Sequence, residues 1–190
     1  TYNRVESLPS MEVCVQLNRD VPLIVKTDVI QTATADGSID VCWLKPQVDD
    51  LDTLQNPGPY TYEVLRAQGM RTDPADFSPI GISYTSEFFA TANDTCFTDT
   101  GLNTQDEPYS YIINFYVAGE AIPLGSTNHA SSIYLNITPT DRQNVLSWEE
   151  SVPWDNYEYE IWRQNDQGNF ERIGITNTRT FIDEGLDNGT

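Results

Sequence analysis

One heptapeptide pattern occurs twice in the chain. Tyr60-Thr-Tyr-Glu-Val-Leu-Arg66 returns as Tyr157-Glu-Tyr-Glu-Ile-Trp-Arg163, with both tyrosines, the glutamate and the arginine in the same places. The same landmarks flank each copy in the same order. A short run ending in tryptophan precedes it, Ile39 to Trp43 and Asn144 to Trp148. A Phe-x-x-Ile-Gly follows, at Phe77 and Phe170, and then a Phe-x-Asp-x-Gly-Leu, at Phe97 and Phe181. Four landmarks in register make an internal repeat, so the chain should fold as two copies of one supersecondary unit rather than as one continuous core.

The segments between landmarks alternate apolar and polar residues, as half-buried strands do. The first copy reads as seven strands. Leu23 to Thr34 is followed by a turn at Ala35-Asp-Gly37, and then by Ser38 to Leu44 with Ile39, Val41 and Trp43 on one face. A long acidic loop, Pro46 to Pro59, leads to Tyr60–Ala67, with Tyr60, Tyr62 and Val64 on the core face and Leu65 on the other. Phe77–Tyr84, Thr95–Asp99, Tyr109–Val117 and Ala130–Ile137 complete the set. Seven short strands separated by turn signals predict an all-β fold in which two antiparallel sheets pack as a sandwich. The second copy supplies Val145–Trp148, Tyr157–Arg163 with Tyr157 and Tyr159 on the core face as Tyr60 and Tyr62 are, Phe170–Ile175 and Arg179–Ile182, and lacks counterparts of the last two strands. The expected division is therefore residues 1–21 as the end strand of a preceding module with a linker, 22–137 as one sandwich module and 138–190 as a partial one. The missing strands predict an open edge beside Tyr157–Arg163, to be covered by further chain or by a partner. The residues near Thr1 show no leader pattern, which fits a mature or internal stretch.

Charge narrows the partners. With 10 Lys+Arg against 29 Asp+Glu, the net charge of −19 opposes contact with nucleic acid phosphates and with anionic lipid surfaces. No run of about 18 apolar residues is present, so no membrane insertion by a helix is expected.

Few residues carry chemistry. The single histidine, His129, lies in a polar turn without a GxSxG or a paired base, and reads as a solvent-exposed turn residue. No enzyme activity is expected. Calcium is the cofactor worth weighing, because oxygen-rich loops suit it. Its candidates are Asp49, Asp50 and Asp52, with a second acidic group at Asp183, Glu184 and Asp187, and neither has EF-hand spacing. Three cysteines form no CxxC. Strand alternation points Cys42 and Cys96 outward, so they can bridge if their strands are neighbours; otherwise Cys14, Cys42 and Cys96 are isolated thiols. On the outward face of the repeated strand, Leu65 and Trp162 occupy equivalent positions, and an exposed mid-strand tryptophan marks a contact with a partner, a sugar or a neighbouring module. Trp154, in the short loop of the second copy, reads as a wedge between modules.

Together the landmarks resemble fibronectin type III modules: the inward Trp43 and Trp148, the Tyr62-Glu-Val64 and Tyr159-Glu-Ile161 triplets, and Leu102 ahead of Tyr109. This resemblance implies tandem fibronectin type III or immunoglobulin-like sandwiches, the second incomplete. Leu51 to Tyr60, Ala130 to Leu135 and Trp148 to Trp154 further look like segments of the large multi-module surface proteins of Bacteroidota associated with gliding motility. That likeness implies an extracellular, cell-surface or outer-membrane location reached by type IX secretion, and a non-catalytic role as scaffold, spacer or adhesin. Its partners would be neighbouring modules, envelope proteins or surface glycans. Asp52-Thr53-Leu54 resembles the pattern such bacteria O-glycosylate, on Thr53. Two rival readings are a carbohydrate-binding accessory module of a secreted hydrolase and a subunit docked in a secretion or motility assembly.

Overall fold

The computed structural model describes residues 21–47 and 51–187. Its strands are β1 (Leu23–Gln31), β2 (Gly37–Leu44), β3 (Tyr60–Gln68), β4 (Ser78–Ser86), β5 (Cys96–Leu102), β6 (Tyr109–Tyr116), β7 (Gly125–Ser126), β8 (Ala130–Ser131), β9 (Tyr134–Thr140), β10 (Gln143–Glu149), β11 (Tyr159–Gln164), β12 (Phe170–Thr176) and β13 (Thr180–Glu184). Two single-turn 3-10 helices, Pro74–Asp76 and Phe89–Thr91, bridge strands. Among the described residues every strand pairing is antiparallel.

The first eight strands make two sheets, ordered β1-β2-β5 and β4-β3-β6-β7, with β8 also against β6. Their inner faces close on one apolar core. Ile24, Ile39, Val41 and Trp43 come from one sheet, and Tyr60, Tyr62, Val64, Tyr111, Ile113 and Phe115 from the other. This β-sandwich follows from period-2 alternation, because one face of each strand must leave water. Aromatic rings set the packing. Trp43 meets Tyr62 edge-on with centroids 5.6 Å apart, and Tyr62 stacks on Phe115 at 5.2 Å. Cys42 and Cys96 stand opposite one another in the β2–β5 register and are joined by a disulfide. The outer face of β3 is not bare either: Leu65 packs with Ala67, Phe77 and Ile112 in a small satellite cluster.

The remaining strands repeat part of this plan. β10 lies between β9 and β13, as β2 lies between β1 and β5, and β11 pairs with β12 as β3 does with β4. Trp148 meets Tyr159 edge-on at 5.0 Å, the counterpart of Trp43 on Tyr62. The completeness differs. Among the described residues from Tyr134 onward, Trp148 is the one apolar side chain that is fully buried.

Two expectations need correction. The stretch Ala130–Ile137 is not one strand: Ala130–Ser131 pair with β6, while Tyr134 onward pairs with β10. The chain changes partner at Ser132–Ile133, where the Ser132 N–H donates to the Tyr109 carbonyl and its hydroxyl accepts from the Tyr109 N–H. Tyr157 does not share the core face with Tyr60. It is 83% exposed, against 3% for Tyr60. Tyr60 is held between Phe89 and Phe115, at 5.3 and 6.1 Å, and the second set of strands offers Tyr157 neither ring.

The disulfide closes a loop of 54 residues in sequence separation, so reduction should lower the unfolding free energy of the first sandwich by about 2–4 kcal/mol. Urea melts with and without reductant check this, and a Cys42→Ala/Cys96→Ala chain should match the reduced protein.

Candidate functional site

Three places combine unusual chemistry with position: the contact between the two sheets, the junction between the two strand sets, and the loop tip of the first sandwich.

Between the sheets, β5 turns Asp99 inward, where it is 7% exposed. A buried carboxylate needs a cation and hydrogen-bond donors to offset its lost hydration. Asp99 has both. Arg66 on β3 reaches its two oxygens at 2.9 and 2.8 Å, and the Tyr111 hydroxyl on β6 donates at 2.9 Å. The Arg66 guanidinium also lies 5.6 Å from the Tyr109 ring centroid, and the Tyr109 hydroxyl accepts from the Asn103 N–H. The repeat copies the pair: Arg163 on β11 binds Asp183 on β13 at 2.6 Å, and Asp183 is again 7% exposed. Asp183 is therefore an inward structural carboxylate and does not join Glu184 and Asp187 in a cation site. Among the described residues no group of three His, Cys, Asp or Glu converges to hold a metal. Asp49 and Asp50 lie outside the described residues, as does Cys14. Asp52 is engaged in its own turn, accepting from the Leu54 and Gln55 N–H groups.

At the junction, Ser131 and Ser151 clasp each other. The Ser131 N–H donates to the Ser151 carbonyl at 2.8 Å, and the Ser151 N–H to the Ser131 hydroxyl at 2.7 Å. His129 is not a free turn residue; its Nε2 lies 2.9 Å from the Ser151 hydroxyl. Val152 and Trp154 pack on the first sandwich's core. Beside them Glu150 collects the Tyr159 hydroxyl at 2.5 Å, the Asn156 amide and Arg179. The Tyr159 hydroxyl beside it, opposed by burial and helped by the Glu150 charge, holds the Arg179 pKa above its ordinary value. A crevice of about 290 Å³ runs between β1 and this loop.

At the tip, the loops after β2, β4 and β6 meet. The Ala118 N–H donates to the Pro57 carbonyl at 2.8 Å, and Lys45 binds the Phe89 carbonyl at 3.2 Å. A Cβ on Gly58 would collide with the Glu87 carbonyl, so the first two loops touch only because that position is glycine. The three loops expose Leu54, Phe88 and Ile122, at 93, 71 and 80%. Thr53 is exposed beside Leu54. These exposed apolar side chains carry no spacing signal in the sequence; a scan for large apolar residues inside polar loops would have found them.

The other partner candidates separate. Trp162 is 52% exposed on the outer face of β11, where its indole N–H donates to Glu160 at 3.1 Å, and Glu160 also binds Arg172. Leu65, its counterpart, is half-covered by Phe77 and Ile112 and offers no free surface comparable to Trp162. No helix of the described residues is long and apolar enough to cross a membrane.

No protein-family model matches the chain, and no curated protein matches it closely enough to count as a relative.

Removing the Asp99 carboxylate strands both Arg66 and the Tyr111 hydroxyl. Asp99→Ala should cost roughly 3 kcal/mol, at the lower end for a broken buried pair because Arg66 is partly solvated, while Tyr111→Phe should cost about 1 kcal/mol. Chemical denaturation of the two variants checks the order. Alkali should act on the same site. Burial, followed by the Asp99 charge, raises the Tyr111 pKa far above the ordinary tyrosine value, and burial alone raises that of Tyr62. Groups raised on folding stabilise fully below the unfolded pKa of about 10 and lose that contribution as pH rises above it. The melting temperature should hold steady to about pH 9 and fall beyond about pH 10, and Tyr62→Phe should make that fall shallower.

Proposed function

We propose that this chain is a stretch of a non-catalytic, multi-module protein of the cell surface or envelope, built from tandem fibronectin type III-like sandwiches and acting as a spacer or scaffold. The observation that carries this reading is the junction. Two strand sets with the same local pairing order are joined by a serine clasp and by Trp154 packed on the first core. Such a joint fixes the angle between successive units, which is what a spacer requires and what a flexible tether between independent enzymes does not. The strongly acidic balance supports the same role, since it keeps an exposed array soluble and non-sticky. In this reading the array works outside the cell and is exported by the type IX route, as the likeness to gliding-motility-associated surface proteins implies.

An adhesive role draws on the tip. Leu54, Phe88 and Ile122 are large apolar side chains left in water on three adjoining loops, the kind of exposure that draws a partner. Thr53 beside them would be the O-glycosylated position in this reading. Sugar binding of the accessory-module type would want a row of exposed aromatics on one face. Trp162, Tyr157 and Phe88 belong instead to different elements.

Trp154→Ala should loosen the joint and cost the first sandwich on the order of 1–2 kcal/mol, about half the value of a fully buried large apolar side chain. In small-angle scattering, this variant combined with Ser131→Ala, which removes the hydroxyl that accepts from the Ser151 N–H, should show a larger and broader distance distribution than the unaltered chain. An unchanged distribution would remove the argument for a stiff spacer.

A further inference from the structure

The loop between β2 and β3 and the loop between β4 and β5 face each other across an open groove of about 510 Å³. Thr53 and Pro57 line it from the first loop and Glu87 and Phe88 from the second, with the nearly buried Tyr60 and Phe89 rings also in its lining. We propose that this groove binds a basic segment of a separate polypeptide, with an arginine stem laid along the Phe88 ring and its guanidinium held in the negative field of the tip. The proposal rests on the adhesive reading of the tip and names the chemistry of what adheres; the spacer role does not enter it.

Hydrogen bonds brace both sides of the groove. Asp52 accepts from the Leu54 and Gln55 N–H groups, the Asn56 N–H donates to the Asp52 carbonyl at 2.8 Å, and the Tyr60 hydroxyl to the Asn56 carbonyl at 2.9 Å. Opposite, the Phe88 carbonyl accepts from the Ser86 hydroxyl at 3.1 Å and from the Thr91 hydroxyl and N–H at 3.0 Å. The Phe88 ring itself is 71% exposed. A large ring on fixed backbone is covered by a partner at little cost in ordering, which suits an anchor. Charge chooses the partner. The three loops that meet at the tip, residues 45–59, 87–95 and 117–124, carry Asp49, Asp50, Asp52, Glu87, Asp94 and Glu120 against one cation, Lys45. Lys45 is engaged, donating to the Phe89 carbonyl and to Asn93. Glu87 is exposed, and its carboxylate makes no hydrogen bond or ion pair among the described residues. An arginine answers both features: its stem is apolar, its planar guanidinium stacks on aromatic faces, and its charge is permanent. The molecule makes this combination once internally, where Arg66 binds Asp99 and lies 5.6 Å from the Tyr109 ring centroid. Trp162 shows the closed case, since its neighbouring carboxylate, Glu160, already holds Arg172. A second copy of this chain is a poor occupant. Two copies at −19 repel, and each described arginine has a partner: Arg66, Arg163, Arg172 and Arg179 in ion pairs, Arg71 with the Gln68 carbonyl, and Arg142 besides.

The test uses the 190-residue chain, isotope-labelled and made without glycosylation, with the probe peptide acetyl-Gly-Leu-Arg-Leu-Arg-Gly-amide in an NMR titration that resolves each backbone amide. Saturable shifts are expected at residues 53–60 and 87–90, with the rest of the spectrum unmoved. Phe88→Ala should weaken binding about threefold, as loss of an exposed cation–π contact implies. Glu87→Gln together with Glu120→Gln should weaken it by roughly the same threefold factor, the scale of exposed charge pairs, and should flatten its dependence on salt. Replacing both peptide arginines by citrulline, which keeps the shape and removes the charge, should lose about as much. All three altered side chains are exposed, so an unchanged spectrum of each free variant away from the substitution checks that folding is intact. If neither peptide gives a saturable shift up to roughly 10 mM, the proposal falls and the adhesive reading of the tip falls with it. Equal binding of the citrulline peptide, or binding that ignores the Phe88 and glutamate variants, overturns the proposal and leaves the tip an apolar contact without a charge preference. Shifts centred on other residues overturn it as well. So do shifts that appear on concentrating the chain alone, which would assign the groove to a second copy.

Discussion

A single buried carboxylate ties the first sandwich together across its sheets. Asp99 belongs to the β1-β2-β5 sheet, and its partners Arg66 and Tyr111 belong to the other. Apolar packing presses two sheets together without fixing how one slides over the other, because dispersion and hydrophobic burial are not directional. Hydrogen bonds to a charged group are directional, and in a low-dielectric interior a misaligned one is costly. The Asp99 group thus holds β3, β5 and β6 in one relative position, and the Trp43, Tyr62 and Phe115 rings pack around that choice. The Arg163–Asp183 pair is the same device in the second set, bound by one partner fewer.

Much of this architecture can be read from the residues. Period-2 alternation marks nearly every strand, and its parity correctly points Tyr60, Tyr62, Val64 and Trp43 inward, because in a strand the face is decided by counting alone. What counting could not supply was everything that depends on a neighbour from elsewhere in the chain. Tyr157 sits where Tyr60 does in the repeat, but burial of Tyr60 requires Phe89 and Phe115, which come from distant segments. Leu65 reads as outward and therefore free, yet Ile112 and Phe77 cover it, since the face of a strand that leaves the main core can still meet a satellite cluster. The change of partner at Ser132–Ile133 was hidden for a related reason. Ala130 to Ile137 alternates throughout, and alternation is blind to which sheet each half joins. Asp183 looked like part of an acidic surface cluster, and only its alignment with Asp99 reveals the arginine waiting on the adjacent sheet.

The junction follows from the same economy of polar groups. A chain that leaves one sheet for another exposes backbone donors and acceptors at the crossing, and buried ones must be paired. Ser131 and Ser151 pair theirs with each other, and His129 caps the Ser151 hydroxyl. Trp154 then covers the apolar rim of the first core that the crossing would otherwise leave wet. The joint is therefore a product of closing the first sandwich, and its contacts do not require the second set to be complete.

That independence explains how the two sets can differ so much in burial while keeping the same pairing order. The first set closes its core with side chains from both sheets; the second has Trp148 buried against Tyr159 and little beyond it. The β9–β10 and β11–β12 pairings are hairpins, and β13 returns to β10 after the excursion through β11 and β12. Closing a core needs the inter-sheet partners that β6 supplies in the first copy. A two-stranded sheet such as β11-β12 is marginal by itself, so its persistence rests on the Arg163–Asp183 pair and the Trp148–Tyr159 contact that dock it on β10 and β13.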